Sequence, residues 1–224
     1  MKREIIRTQD GSTTIRLPEW DECYHSKHGA IQEAYHVFIK NGLDLFKQNP
    51  VSIMEIGFGT GLNAFITLLE AEKYNQKIDY VGVEAYPVST EEVSLMNYVS
   101  ELGQHANQET FNLLHETGWE QQNQISTHFN LTKKKQFFDK ISDREKFDLI
   151  YFDAFGYRVQ PDLWRTEIFK IMYDSLKENG ILVTYAARGV VKRSMQEVGF
   201  KVEKRPGPPG KREMMLAFKG NFPI

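Results

Sequence analysis

Short apolar runs alternate along this chain with stretches whose apolar positions recur every three or four residues. Residues 51–56 (VSIMEI) form a compact run that ends in glycines, and residues 62–71 follow with helical spacing. Such a run reads as a buried strand and the spacing as a helix packed on one face. The pairing recurs, with a strand at 79–84 and a helix at 88–102. Residues 125–131 predict a third strand and 147–152 (FDLIYF) a fourth, apolar enough to be buried on both faces. A helix follows at 161–176, with Pro161 near its start and Asn179-Gly180 just past its end. A fifth strand is expected at 180–186 and a short helix at 194–198, closed by Gly199. Two last strands, 200–204 and 213–218, are joined by a Pro/Gly-rich loop at 206–210.

Ahead of this alternation, residues 5–8 and 13–17 flank Asp10-Gly11, a dipeptide suited to a tight hairpin turn. A helix-like stretch within 20–46 carries Ile31, Ala34, Tyr35, Phe38 and Ile39, and Gly42 punctuates it. Strands alternating with helices imply right-handed crossovers and a largely parallel sheet. The expected fold is α/β, Rossmann-like, with a mostly parallel seven-stranded sheet between helices and an N-terminal β-hairpin and helical extension. Residues 1–48 are expected to form that extension and cover, and residues 49–224 the sheet domain.

Composition narrows the class. The chain has 224 residues, of which 41% are hydrophobic and 26% charged, ordinary for a globular protein with a real core. No apolar run approaches the length that spans a bilayer. No apolar segment resembling a secretory signal follows Met1-Lys2-Arg3-Glu4, and the single cysteine, Cys23, has no partner for an internal disulfide. A cytoplasmic location without membrane attachment is expected. Net charge is −2, yet nine basic residues face three acidic ones between residues 188 and 219. Local patches of this kind steer polyanions, although a solvated face has the same composition.

The sharpest local signal is Glu55-Ile56-Gly57-Phe58-Gly59-Thr60-Gly61, set between a strand and a helix. Glycines there allow a tight turn and the close approach of a ligand to the backbone. The dinucleotide fingerprint G-x-G-x-x-G is not met, because Leu62 stands where its third glycine belongs. The pattern E-x-G-x-G-x-G instead resembles the class I S-adenosylmethionine (SAM)-dependent methyltransferases. That resemblance implies SAM binding by Glu55, Gly57, Gly59, Gly61, Asn63, Glu84 and Asp153. Glu84 closes the second strand, where a carboxylate can take both hydroxyls of a ribose. Many such enzymes place an acid near the adenine after the third strand. Asn130-Leu131-Thr132-Lys133 offers none, so Thr132 or backbone groups are the expected adenine contacts.

The fourth strand ends in Asp153-Ala154-Phe155-Gly156-Tyr157, next to the glycine loop across the expected switch point of the sheet. The spacing resembles the Asp/Asn-Pro-Pro-aromatic motif of amino-group methyltransferases. Methyl transfer to nitrogen needs alignment and a free lone pair more than a strong base. Asp153 is therefore expected to orient an amine and Phe155 or Tyr157 to hold a planar acceptor. The alternative, that Asp153 only caps the following turn, stays open.

The longer pattern resembles the methyltransferase component of the bacterial MnmC-type tRNA modification enzymes. It rests on the stretch Ser26 to Glu33 with Val37-Phe38-Ile39, on Gly57 to Asn63, on Val83-Glu84 with Pro87, on Asp153-Ala154-Phe155 with Pro161-Asp162-Leu163-Trp164, and on the tail Lys204-Arg205-Pro206-Gly207 and Lys211-Arg212-Glu213-Met214. The resemblance implies methylation of the amine of 5-aminomethyl-(2-thio)uridine at the tRNA wobble position, with Asp153, Phe155 and Glu33 at the reacting centre. No second glycine fingerprint precedes Ile224, so a stand-alone, MnmD-like methyltransferase without the FAD oxidoreductase is expected, with a separate enzyme as one source of the amine. The expected partner is the tRNA anticodon stem-loop. Contacts are assigned to Tyr157, Lys192, Arg193, Lys204, Arg205, Lys211 and Arg212, with Trp164 a further stacking candidate. Lys133-Lys134-Lys135 reads as a solvated helix start or a phosphate contact. Cys23, His25, His28 and His36 cluster, but a second spaced ligand pair is missing and no metal is expected. The competing readings are an aminopropyltransferase or small-amine methyltransferase on the same fold, and an RNA-binding module without catalysis.

Overall fold

In the computed structural model, residues 2–47 and 49–221 are described; residue 48, the expected boundary between extension and sheet domain, lies outside them. The chain opens with β1 (Glu4–Arg7), β2 (Thr13–Leu17) and β3 (Glu22–Cys23), which form a small antiparallel sheet of their own. Helix α1 (Ala30–Ala34) runs on into a wider π turn, Tyr35–Lys40. The buried residues Ile15, Leu17, Ala30, Val37 and Phe38 share one core with the main sheet.

The main sheet is built from β4 (Val51–Ile56), β5 (Ile78–Glu84), β6 (Gln122–Gln124), β7 (Phe129–Lys135), β8 (Phe147–Phe152), β9 (Leu176–Thr184), β10 (Lys201–Pro206) and β11 (Glu213–Phe218). Their order is β10-β11-β9-β8-β4-β5-β7-β6. Strands β4, β5, β7, β8 and β9 run parallel, while β6, β10 and β11 pair antiparallel at the two edges. The sheet has eight strands, one more than expected; the eighth, β6, is three polar residues that carry no apolar signal.

The helices are α2 (Leu62–Tyr74), α3 (Thr90–Ser94), α4 (Tyr98–Glu101), α5 (Gln108–Glu116), α6 (Thr166–Ser175) and α7 (Gly189–Glu197). Along β4, Ile53 faces the core shared with α2 and α5, whereas Met54 and Ile56 face the core shared with α6 and α7. Period-two alternation in a strand covered on both faces thus gives three layers. Among the described residues no helix is long and apolar enough to cross a membrane.

Several sequence expectations shift. The helix expected at 161–176 is a tight 3-10 turn, Pro161–Trp164, followed by α6; the fifth strand starts at Leu176 rather than 180 and contains Asn179-Gly180; and the last helix is Gly189–Glu197 rather than 194–198. The third strand lies at Phe129–Lys135 rather than 125–131, and Lys133-Lys134-Lys135 is its end, not a helix start. Lys133 is buried, its ammonium donating to the His115 carbonyl and lying 5.1 Å from the Trp119 ring centroid. The helix expected at 88–102 is two short helices, α3 and α4, the first opened by a capping box between Ser89 and Glu92. Helix α5, absent from the sequence reading, buries only Phe111 and Leu114.

Candidate active site

The chain passes from β4 through β5 to β7 on one side and through β8 to β9 on the other, so the order reverses between β4 and β8. Outside the carboxyl ends of strands at such a point lies the ligand crevice of open α/β sheets. Here it is a cavity of about 630 Å³ lined by the glycine loop, the ends of β5 and β8, residues 137–139, and Tyr24 and His25 from the N-terminal segment.

At its deep end the side-chain amide of Asn63 donates to Glu55 Oε1 at 2.8 Å and to Asp153 Oδ2 at 2.9 Å. Tyr80 donates its hydroxyl to Glu55 Oε2 at 2.8 Å. One amide thereby spaces two carboxylates from neighbouring strands. Burial pushes the Glu55 carboxyl well above its usual range, against the hydrogen bonds from Asn63 and Tyr80. Burial, aided by the Glu33 charge, pushes Asp153 up to about 7. Asn63 Oδ1 is left as a buried acceptor without a partner in the protein. A cluster of acceptors with this little donor supply suits a cationic ligand.

The turn above is shaped by close approach. Gly57 has φ +89°, and a Cβ on it would stand 2.7 Å from the Asp153 carbonyl oxygen. Gly82 of β5 leaves the space that the Phe58 ring fills, where a Cβ would meet Cδ2 at 2.4 Å. At the mouth, Glu84 accepts the Gly59 N–H at 3.1 Å and the Tyr86 N–H at 2.8 Å. A carboxylate has about four lone-pair sites, so two remain for a ligand. Tyr86 and Phe137 stand edge to face across the mouth, their centroids 5.8 Å apart. Arg3, just before β1, fixes that side, donating to the Tyr86 carbonyl at 2.9 Å and to Glu92 Oε2 at 2.8 Å.

The N-terminal segment covers the other flank. Phe155 meets Trp20 and Tyr24 edge on, at 5.6 and 5.0 Å, and Arg158 donates to the carbonyls of Trp20 and Asp21 and to Glu22. Burial pushes the Tyr24 hydroxyl up to about 12 and holds the His25 imidazole neutral, down to about 4.

The structure therefore brings Glu55, Gly57, Gly59, Asn63, Glu84, Asp153 and Phe155 to one cavity, with Gly61 opening α2 beside it. Glu33 is buried and pairs with Lys211. Lys211, expected on an RNA-facing surface, is turned inward over the Tyr185 ring, 3.8 Å from its centroid. Trp164, expected to stack on a base, is 1% exposed and donates to the Phe155 carbonyl at 2.8 Å, a core residue that braces the loop after β8. Lys192 and Arg193 lie on α7, Arg193 and Arg212 exposed, while Lys204 pairs with Glu213 and Arg205 with Glu203. Tyr157 lies under Arg188 at 5.7 Å. Among the described residues no three His, Cys, Asp or Glu side chains converge as metal ligands. Residues the sequence reading missed are Tyr86, Phe137, Phe138 and Asp139. Asp139 stands after the third strand, and the sequence hides it because that strand ends four residues later than its apolar pattern.

These features fit SAM. The cavity has the size of a ligand pocket, roughly 300–1,000 Å³, with acceptors for cationic groups deep and, at the mouth, a carboxylate for a diol beside aromatic rings and Asp139.

Comparison with known proteins agrees. The bifunctional protein MnmC of Leptospira interrogans, of tRNA 5-methylaminomethyl-2-thiouridine biosynthesis, is 29% identical over 216 residues, covering 88% of this chain and 32% of that protein. Its counterpart from Hydrogenovibrio crunogenus is 26% identical over 95% of this chain and 33% of its own length. The chain thus spans about a third of the length of the curated relatives it matches. Among solved structures, MnmC2 from Aquifex aeolicus superposes with a TM-score of 0.80 at 22% identity, over all of this chain and 71% of that one. Spermidine synthase from Thermotoga maritima follows the same fold, with a TM-score of 0.59 at 15% identity, over 97% and 69%. The profile of one family, described as S-adenosyl-L-methionine-dependent methyltransferase, matches residues 103–220, just over half of the sequence. The chain belongs to that family of S-adenosyl-L-methionine-dependent methyltransferases.

Proposed function

We propose that this protein methylates the primary amine of 5-aminomethyl-(2-thio)uridine at the wobble position of tRNA, giving 5-methylaminomethyl-(2-thio)uridine in the cytoplasm. The observation that carries the reading is Asp153. It is a carboxylate at the end of β8, pushed up to about 7 and held by Asn63 at the deep end of the cavity, with the aromatic Phe155 beside it. Such a group accepts a hydrogen bond from an amine and takes its proton near neutral pH. The names of the MnmC relatives support the tRNA half of the proposal.

Bound SAM supplies a methyl group on a positively charged sulfur, activated for in-line displacement. The protein supplies position and electrostatics. Glu84 would hold the ribose hydroxyls, Tyr86, Phe137 and Asp139 the adenine, and Glu55 with Asn63 the methionyl end. Gly57, Gly59 and Gly61 let the backbone pass close beneath. Asp153 orients the amine and accepts its proton; Phe155, held by Trp20 and Tyr24, forms a wall against the acceptor base. Residues 1–48 act as a cover that closes the acceptor side, and residues 49–224 as the cofactor domain. Arg193 and Arg212, with Lys192, Lys204 and Arg205, contact the phosphates of the anticodon stem-loop, and Tyr157 lies along that path.

The test is methyl incorporation from labelled SAM into tRNA from cells lacking this protein, read by nucleoside mass spectrometry. The expected result is a gain of one methyl on 5-aminomethyl-2-thiouridine, lost with Asp153→Ala. SAM binding without any methylated tRNA nucleoside would leave the cofactor reading standing and overturn the substrate.

A further inference from the structure

Lys211 comes from the loop between β10 and β11, and that loop is docked on the N-terminal cover: His36 Nε2 lies 2.8 Å from the Pro206 carbonyl oxygen. Its ammonium pairs with Glu33 Oε1 and sits 3.8 Å from the Tyr185 ring centroid. Glu33 is 7% exposed and uses its second oxygen to accept the Ser26 N–H at 2.8 Å. Tyr185 donates its hydroxyl at 2.8 Å to the carbonyl of Ala154, the residue after Asp153. A lysine, a glutamate and a tyrosine from three distant parts of the chain thus meet beside the reacting carboxylate. This arrangement is not that of a phosphate-binding lysine, which would point its charge at solvent.

An alkylammonium is protonated at neutral pH and has no lone pair to give. Two carboxylates facing it, Glu33 and Asp153, would hold it in that unreactive form. We propose that Lys211 is a positioning residue that offsets the Glu33 charge at the acceptor end of the site, so that the incoming amine is held as the free base. This inference rests on the reading of amine methylation above. The proton passes from the ammonium to the Asp153 carboxylate. The freed lone pair then forms the N–C bond while the C–S bond breaks with its electrons going to sulfur, and the product leaves as a secondary ammonium.

The charged and titratable groups around this spot agree with that balance. From α1 comes Glu33. From the segment before α1 comes His25, neutral through burial, with Asp10 of the β1–β2 turn acting on it. From β3 comes Glu22, already paired with Arg158. From the loop after β8 comes Asp153, backed by Glu55 through Asn63, and from beyond β9 comes Tyr185, whose hydroxyl burial and these carboxylates push far up. The Glu33 charge raises Asp153 and the Lys211 charge lowers it, so the two act on proton acceptor and amine in the same sense.

The experiment is the pH dependence of kcat/KM for tRNA methylation in the wild type, Lys211→Gln, Lys211→Arg and Glu33→Gln. Alongside it run SAM affinity by calorimetry and tRNA affinity as a function of salt. Lys211→Gln should move the acid limb up by about one pH unit, a fall of about tenfold on the limb that recovers at higher pH. Glu33→Gln should move it the opposite way, Lys211→Arg should restore it, and SAM affinity should hold in all three. A uniform loss at every pH would make Lys211 only a tie for the hairpin and overturn the proposal. So would weaker tRNA binding with a shallower salt slope, the mark of a phosphate contact. Wild-type transfer with unshifted limbs overturns this inference alone; wild-type protein that binds SAM but methylates no tRNA amine overturns it together with the substrate assignment.

Discussion

The deep end and the mouth of the cavity are both built on carboxylates at strand ends, and their surroundings separate them. Glu55 is 1% exposed and is bonded by side chains alone, Asn63 and Tyr80. Glu84, one strand over, is half-buried and accepts two backbone N–H groups. Burial raises Glu55 and pushes Asp153 up to about 7, so the deep end holds a carboxylate that titrates near neutral pH. The mouth instead offers fixed acceptors and rings to a nucleoside. Under the proposed function the deep end acts on the reaction and the mouth on affinity, and substitutions should divide kcat from Kd along the same line.

The largest effect is expected at Asp153. Asp153→Asn keeps the hydrogen-bonding shape and removes the proton acceptor, so turnover should fall by about 10²- to 10⁴-fold while SAM affinity changes little. In the wild type kcat/KM should rise as pH passes about 7, where Asp153 becomes a carboxylate. The stability sign follows from the same raised value. The fold favours protonated Asp153, so its contribution is complete below the ordinary carboxylate range and is lost as pH rises through about 7. Melting temperatures of the ligand-free protein should show that decline between about pH 4 and 7, and Asp153→Asn should flatten it. An equal decline in the variant would assign it to other groups.

Gly57 joins the two regions, and a substitution there should damage both. Gly57→Ala places a Cβ 2.7 Å from the Asp153 carbonyl at φ +89°, a backbone region that costs an L-residue about 1–2 kcal/mol. Either the loop or the end of β8 must move. SAM affinity and kcat should each fall by roughly tenfold, as an equivalent of that strain. Loss of only one would show that loop and Asp153 move independently. Glu84→Gln should act on the mouth alone. Hydrogen bonds to a charged group are worth about 1.5–3 kcal/mol, so SAM Kd should rise by about 10- to 150-fold with kcat at saturation nearly unchanged. A fall in saturated kcat would break the division.

The deep end was legible in the sequence because its chemistry coincides with its pattern. Glu55 to Gly61 and Asp153 follow apolar strands whose period and length place their ends without tertiary information. The mouth was legible only in part. Lys133 occupies an inward position of β7 because its ammonium meets the His115 carbonyl at the end of α5 and the Trp119 ring. Three successive lysines therefore hid a strand end, and with it Phe137 and Asp139. Lys211 was misplaced for a related reason. Charge in a sequence suggests solvent, and only the docking of the β10–β11 loop on His36 and Glu33 turns this lysine inward. Helix α5 presents two buried apolar residues in nine, too few for a periodic signal.

The smallest effect is expected at the outer rings. Tyr86 is 64% and Phe137 55% exposed in the ligand-free protein, unusual for large aromatic side chains, and they touch only edge to face. An adenine stacked on their exposed faces would cover both. An aromatic pair is worth about 0.5–1.5 kcal/mol beyond the area it buries, which corresponds to roughly 2- to 10-fold in affinity. Phe137→Ala should weaken SAM and S-adenosylhomocysteine by that factor equally, because the two share the adenosine and differ only at sulfur. If Phe137→Ala distinguished the two ligands, the ring would be sensing the sulfonium, and the separation of mouth from deep end would fail where it is most exposed to test.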